Sequence, residues 1–246
     1  MLFSKVKSKV SISQGFMKVL FFKEAFTFAP MQGSKNQLAT IIPLLIATVG
    51  LAISLLLFKK ADAFLFWNQL LPLPTSAWQV ITFVGDGIFA ASLVVLIALF
   101  QNRSLAAAVL LSWLLGAALA QGLKHTVFKD EPRPVLWFEQ HDLTLEIPGG
   151  IKPHAHNSMP SGHTTTAFGV FGLLAWLSVA KTRKVVFATL ACLAGISRIA
   201  LFQHFPADVL AGAFLGMCTI PASLYLYNVF QKRFPLQANL PFIQKR

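Results

Sequence analysis

Apolar segments of near-constant length dominate the chain: Leu38 to Phe58, Val80 to Phe100, Leu105 to Leu123, Thr164 to Ala180, Val185 to Phe202 and Val209 to Phe230. Each is close to the roughly 20 residues that a helix needs to cross the hydrocarbon core of a bilayer. Open strands would leave backbone donors and acceptors unsatisfied in lipid, so helices are the only economical solution. The expected fold is therefore all-α, a polytopic membrane bundle of six transmembrane helices. A composition that is 55% hydrophobic and only 12% charged agrees with it. The net charge of +12 raises nucleic acid as a partner. However, the basic residues lie in short clusters between apolar runs and form no continuous basic face, which argues against one.

Organisation follows from what flanks the spans. Residues 1–37 carry Lys5, Lys7, Lys9, Lys18, Lys23 and Lys35 and form a basic amino-terminal segment. Its apolar cluster, Phe16 to Phe28, is interrupted by lysines and is not a signal peptide. It suits either an amphipathic surface helix or disorder. Residues 38–230 form the membrane domain and 231–246 a tail. The connection Lys59 to Gln79 contains Pro72 and Pro74 and is expected at the interface, with Trp67 and Trp78 as anchors. Cys192 and Cys218 both fall inside apolar runs, where neither a disulfide nor a metal is expected.

Basic residues also set the orientation. With alternating spans, one side holds the six amino-terminal lysines, Arg103, Lys181, Arg183, Lys184, Lys232, Arg233, Lys245 and Arg246, two thirds of the 21. The other side holds Lys59, Lys60, Lys124, Lys129, Arg133, Lys152 and Arg198. The positive-inside rule then places both termini in the cytoplasm and the long loop from Lys124 to His163 outside.

That outward side collects the chemistry-bearing residues. Lys124 and Arg133-Pro134 follow the third span, Pro160-Ser161-Gly162-His163 opens the fourth, and Ser197-Arg198, His204 and Asp208 lie between the fifth and sixth. Ser161 can cap the fourth helix, whose first amides and dipole favour an anion. Gly162 keeps a side chain off that approach, and His163 can move a proton near neutral pH. Alone, such a tetrapeptide is more often an ordinary capped turn than a catalytic site. Arg198 sits in apolar sequence, where a charge calls for an anionic partner, although snorkelling to the surface would also serve. His204 and Asp208 are four apart across Pro206, so imidazole and carboxylate can share the first turn of a helix. Two histidines, a carboxylate, basic groups and a helix amino terminus suit phosphoryl transfer. One histidine can attack phosphorus and the other can protonate the leaving oxygen, while fixed positive charge stabilises the transition state. No metal or other cofactor is required.

The same residues make the sequence similar to the phosphatidic acid phosphatase type 2 family, relatives of the vanadium haloperoxidases. The likeness covers roughly Lys124 to Asp208. Pro-Ser-Gly-His at 160–163 matches the family's second motif, and Ser197-Arg198, five residues, His204, three residues and Asp208 match its third. The first motif, a Lys followed after six residues by Arg-Pro, departs: eight residues separate Lys124 from Arg133. A short bulge at Asp130-Glu131-Pro132 would absorb them, with Lys124 the better candidate and Lys129 the runner-up. The resemblance implies that His204 is the nucleophile forming a phosphohistidine, Asp208 its orienting partner, and His163 the acid that protonates the leaving group and later activates water. It implies that Lys124, Arg133, Ser161, Gly162 and Arg198 hold the phosphate. The expected activity is a metal-independent lipid phosphatase acting on a polyprenyl diphosphate, a lipid A phosphate or a phosphatidylglycerol phosphate in a bacterial inner membrane, with the site on the extracytoplasmic side. A lipid phosphotransferase would use the same residues, and a transporter would need only the basic groups and amides.

Two further features remain. His141, His154 and His156 in the long loop read as solvated, because no carboxylate stands at ligand-like spacing from them. Asp86, between Gly85 and Gly87, is the one acidic residue inside a predicted span. Counted from Trp78, it falls roughly 12 Å down the helix at about 1.5 Å per residue. A carboxylate there needs a partner or a proton. It is expected to orient Arg198 or Lys124, or else to join two helices as a packing group.

Overall fold

The computed structural model describes residues 36–71 and 73–233. The amino-terminal cluster Phe16 to Phe28 and most of the tail lie outside this range. Every regular element among the described residues is a helix: α1 Leu38–Leu57, α2 Lys60–Gln69, α3 Thr75–Phe83, α4 Gly87–Phe100, α5 Arg103–Thr126, α6 Pro134–Gln140, α7 Gly162–Leu177, α8 Lys181–Ala200 and α9 Pro206–Arg233. The all-α expectation holds, and each predicted apolar segment is helical.

By length and composition, fewer than six helices among the described residues qualify as spans. Among the described residues α1, α5 and α9 are each long and apolar enough to cross a membrane, and α3 with α4 makes a fourth if that pair, bent by 48°, is one span. Apolar sequence alone does not show the break, which falls at Val84-Gly85-Asp86. Asp86 leaves helical geometry and caps α4, its Oδ1 accepting the Ile88 amide at 2.7 Å. At 16 residues α7 is short for a crossing, and α8 begins with Lys181, Arg183 and Lys184 inside the helix.

α7 is the centre of the bundle. Nearly all of its side chains from Thr164 to Leu177 are buried, against α5, α8 and α9. The α7–α9 contact is close because α9 presents Gly212 and Gly216. A Cβ on Gly212 would stand 2.5 Å from the Ser161 carbonyl oxygen, and one on Gly216 would stand 2.6 Å from that of Thr165. Without lipid-phase hydrophobic drive between helices, such small-residue approaches and buried hydrogen bonds supply much of the association. Ser112 of α5 adds such bonds, its hydroxyl donating to Gly169 O at 3.0 Å and lying in hydrogen-bond contact with the Thr219 hydroxyl of α9 at 2.8 Å.

Lys184, counted above with the basic residues of one membrane side, is fully buried. Its ammonium donates to Gln37 Oε1 and to the Ala175 and Trp176 carbonyls, so it satisfies the carboxyl end of α7. The expected tryptophan anchors are also engaged by protein. Trp67 donates to Ser54 Oγ at 2.9 Å, and Trp78 is buried.

At the opposite end of α7, helix α2 lies over an aromatic cluster. Phe64 is fully buried with its ring 5.6–5.8 Å from those of Phe138, Phe202 and Phe205. Asn68 ties α2 to the Ile199 carbonyl at 2.9 Å. This cluster brackets the segment between α8 and α9 and fixes what projects from it.

Candidate active site

The α8–α9 connection is built around one carbonyl. The Gln203 and His204 amides both donate to Arg198 O, at 3.0 and 3.2 Å. This hairpin needs Phe202 in the left-handed region, with φ of 59°, which costs a non-glycine residue on the order of 1–2 kcal/mol. Burial of the Phe202 ring against Phe64 offsets that cost. The result sets the His204 imidazole beside the Arg198 end of α8, almost completely buried at 2% exposure.

Asp208 organises the start of α9. Its Oδ2 accepts from the Phe205 amide at 2.8 Å, the back-bond that a capping-box acid makes. The same oxygen accepts from Ser158 Oγ at 2.5 Å and lies 3.5 Å from His204 Nδ1. His204 Nδ1 has no hydrogen bond, so the carboxylate faces the imidazole with the last 0.5 Å or so still to close; catalytic bonds commonly tighten only in the complex. Burial, then the positive charges of Arg133, Arg198 and Lys124, hold the His204 imidazole well below its usual pKa and therefore neutral.

The cations come from three elements. Lys124 is in the last turn of α5, Arg133 caps α6 and Arg198 is in the last turn of α8, each buried to within 10% of complete. Arg133 donates from Nε to His156 O at 2.9 Å and from Nη1 to both oxygens of Gln203, at 3.1 and 3.2 Å. Burial lowers its pKa and Asp208 opposes that, but a guanidinium stays protonated. Arg198 donates from Nη1 to Thr82 Oγ1 at 2.6 Å, while its buried Nε has no partner. Among the described residues none of these cations forms an ion pair with a carboxylate. Buried positive charge without a counter-ion is costly, and an anion with several oxygens would relieve it.

Ser161 caps α7, its Oγ accepting from the Thr164 amide and hydroxyl. Its own amide donates to Asp208 O at 3.0 Å. His163 is on the first turn of α7 with its side chain about one third exposed, and Gly162 has open space where a Cβ would stand.

The structure thus brings Lys124, Arg133, Ser161, Gly162, His163, Arg198, His204 and Asp208 to one end of the bundle. Lys129, the runner-up for the first motif, is exposed. Asp86 differs from expectation. It lies at a helix break, about one third exposed, and its Oδ2 is 3.6 Å from His163 Nε2. Arg198 hydrogen-bonds Thr82, and Asp86 acts on it electrostatically without a hydrogen bond. Sequence reasoning missed Thr82, Ser158 and Gln203. Thr82 stands one turn before Asp86 in an apolar run, a polar pair at helical spacing that could have been noticed. Ser158 and Gln203 had no such signal. His141, His154 and His156 are exposed, and His141 stacks on Trp137 with ring centroids 3.8 Å apart.

Residues 105–232 match the family model of the PAP2 superfamily, and the chain belongs to that superfamily. Among curated proteins, it is 42% identical over 73 residues to a lipid A 1-phosphatase from Porphyromonas gingivalis, covering 28% of this chain and 16% of that protein. It is 39% identical over 89 residues to lipid phosphate phosphatase 1 from Arabidopsis thaliana, covering 31% of this chain and 26% of the relative. The chain thus aligns with only a minor part of either relative's length. Among solved structures, LpxE from Aquifex aeolicus superposes with a TM-score of 0.58 and 26% identity over 68% of this chain and 96% of that one. A transmembrane PAP2-type phosphatidylglycerolphosphate phosphatase from Bacillus subtilis shares the fold, with a TM-score of 0.50 and 23% identity over 79% and 97% of the two chains. With its apolar spans, the chain is an integral membrane protein.

Proposed function

We propose that this protein is a lipid phosphatase that removes a phosphate or cleaves a diphosphate on a membrane lipid through a phosphohistidine at His204, with the site on the extracytoplasmic face. The observation that carries the reading is the buried, neutral His204 beside Asp208 and three unpaired cations. The neutral imidazole has a lone pair at Nε2 to attack phosphorus, and the cations and Ser161 suit the phosphoryl oxygens. The two curated relatives, a lipid A 1-phosphatase and a lipid phosphate phosphatase, support the substrate class.

In the first step the N–P bond forms as the bond from phosphorus to the lipid oxygen breaks. His163 gives its proton to that oxygen, and Asp208 stabilises the positive charge developing on His204. In the second step water gives a proton to His163 and attacks phosphorus, the N–P bond breaks, and inorganic phosphate leaves. Lys124, Arg133 and Arg198 stabilise the equatorial oxygens in both steps. The groups named carry the whole cycle, so activity is expected to persist in chelator.

The test is phosphate release by purified protein from phosphatidic acid, phosphatidylglycerol phosphate, lipid A and a polyprenyl diphosphate in mixed micelles containing a metal chelator. His204→Ala should reduce release to background. Normal turnover by that variant would refute the mechanism, and transfer of label to a second lipid without phosphate release would make the enzyme a phosphotransferase.

A further inference from the structure

The family match begins at Leu105, so α3 and α4 lie outside it, yet they reach the site at two points. Thr82, in the last turn of α3, accepts the 2.6 Å hydrogen bond from Arg198 Nη1. Asp86, one residue before α4, places Oδ2 3.6 Å from His163 Nε2. Between them Gly85 packs on the main chain of His163, where a Cβ would come within 2.8 Å of its carbonyl oxygen.

We infer that the break in the second span is a positioning arm of the active site, in which Thr82 sets the Arg198 guanidinium and Asp86 sets the His163 imidazole. The inference rests on the phosphatase reading and adds to it two residues and the reason for the break. A continuous helix would keep Asp86 within its backbone ladder. Interruption at residues 84–86 extends the Asp86 backbone to φ −75° and ψ 146° and frees the carboxylate to serve two partners. Oδ1 caps α4 through Ile88 N, while Oδ2 faces His163. A carboxylate at the Nε2 edge of the imidazole fixes the proton there, leaving Nδ1 to give and take the proton of the reaction, as the acid of a nucleophile–base–acid relay orients its histidine. Opposing it are burial, which is the largest cause, and then the positive charges of Arg198, Arg133 and Lys124, all of which disfavour the protonated form of His163. Asp86 is the acidic group that counters them there, so the acid function of His163 depends on it.

Thr82 works on affinity. Its hydroxyl occupies one guanidinium nitrogen of Arg198, while the buried Nε has no partner. The two residues should therefore separate kinetically. Asp86 bears on proton donation to the leaving oxygen, which an alkyl phosphate requires and a nitrophenyl phosphate does not. Thr82 bears on a cation that serves either substrate equally.

The experiment measures kcat/KM of wild type, Asp86→Asn and Thr82→Val on dioctanoyl phosphatidic acid and on p-nitrophenyl phosphate in detergent. kcat/KM reports the step that breaks the lipid–oxygen bond, so slow dephosphorylation does not mask the comparison. Asparagine retains the cap on α4, and valine retains the shape of threonine, so both variants should fold. Asp86→Asn should lose on the order of 10- to 100-fold on phosphatidic acid, within the range that a general acid supplies, and no more than about threefold on the nitrophenyl ester. Thr82→Val should lose about the same factor on both, on the order of 10-fold and mainly through KM, the size of a hydrogen bond to a charged group. Equal losses by Asp86→Asn on the two substrates, or no loss, would overturn the assignment of Asp86 to His163. An unchanged Thr82→Val would remove Thr82 from the arm. If the wild type hydrolyses only another lipid of the phosphate-release panel, that lipid takes the place of phosphatidic acid; a wild type inactive on all of them overturns the phosphatase reading and this inference with it, whereas an active wild type with indifferent variants overturns the inference alone.

Discussion

The Ser161 amide donates to the backbone carbonyl of Asp208 at 3.0 Å, joining the amino termini of α7 and α9 through main chain. Segments almost fifty residues apart are thereby held in register without any side chain at that bond. Ser158 repeats the link through its hydroxyl on Asp208 Oδ2. The polar loop before α7 therefore belongs to the support of His204 as much as α9 does.

Ser158→Ala tests that support. The variant removes a buried donor to a carboxylate, a contact worth about 1.5–3 kcal/mol, and leaves Asp208 held only by the Phe205 amide. Both melting temperature and kcat should fall, the latter because Asp208 no longer faces His204 at a fixed angle. Unchanged kcat with a lowered melting temperature would make Ser158 a structural donor only.

The altered first motif yields a ranking. Lys124 is 7% exposed and acts electrostatically on both histidines, while Lys129 is exposed. Lys124→Ala should therefore lose about 100-fold or more in kcat/KM, as removal of a preorganised charge does. Lys129→Ala should stay within about twofold. The reverse order would return the first-motif role to Lys129.

Much of this arrangement was legible in the sequence because its signals are local. The boundaries of α1 and α5 fall within a few residues of the apolar runs that announce them, and the spacing of His204 and Asp208 across Pro206 brings the two together, although α9 starts at Pro206 and only Asp208 is in its first turn. The bend at Asp86 was not legible from hydropathy, because one carboxylate between glycines barely changes an average over twenty residues. The cap was there to be read, since Asp before an apolar run is a helix start. The burial of Lys184 was not legible for another reason. The positive-inside rule counts charge by side of the membrane and says nothing about whether a given ammonium is solvated or, as here, closes the end of α7.

Orientation is checked by labelling. Thr144 is exposed in the loop between α6 and α7. With Cys218 replaced by serine, Thr144→Cys should react with a membrane-impermeant maleimide from outside intact cells. Reaction only after permeabilisation would invert the topology.

The buried His204 makes stability depend on pH with a definite sign. Its folded pKa lies well below the ordinary 6.5, so the unfolded chain binds a proton that the folded one refuses. This contribution is present in full above about pH 6.5 and is lost as pH falls below it, with a slope approaching about 1.4 kcal/mol per pH unit. In phosphate-free detergent, the melting temperature of the wild type should drop more steeply between pH 7 and pH 5 than that of His204→Gln. Parallel curves would mean that His204 is not held neutral.

The last prediction concerns the glycines that let α9 approach α7. At Gly216 an added Cβ would meet Thr165 O at 2.6 Å, Phe168 Cβ at 2.7 Å and Gly169 N at 2.8 Å, and two of these are backbone atoms that cannot rotate away. At Gly212 it would meet Ser161 O at 2.5 Å and Thr164 Cβ at 3.0 Å. Either Gly→Ala change must push the helices apart, at about 1–3 kcal/mol for an overpacked contact. Gly122 of α5 is the control, because no atom lies within 4 Å of its would-be Cβ. Gly122→Ala should be neutral or stabilising by up to about 1 kcal/mol, the helix-propensity gain. The two α9 variants should also differ from each other. Gly212 faces Ser161, whose amide holds the Asp208 carbonyl, so Gly212→Ala should lower kcat/KM well below its melting temperature. Gly216 sits one turn deeper, and Gly216→Ala should cost stability while leaving the folded enzyme active. If both variants melt with Gly122→Ala and retain full activity, α7 and α9 do not make the close approach on which the alignment of the second and third motifs depends.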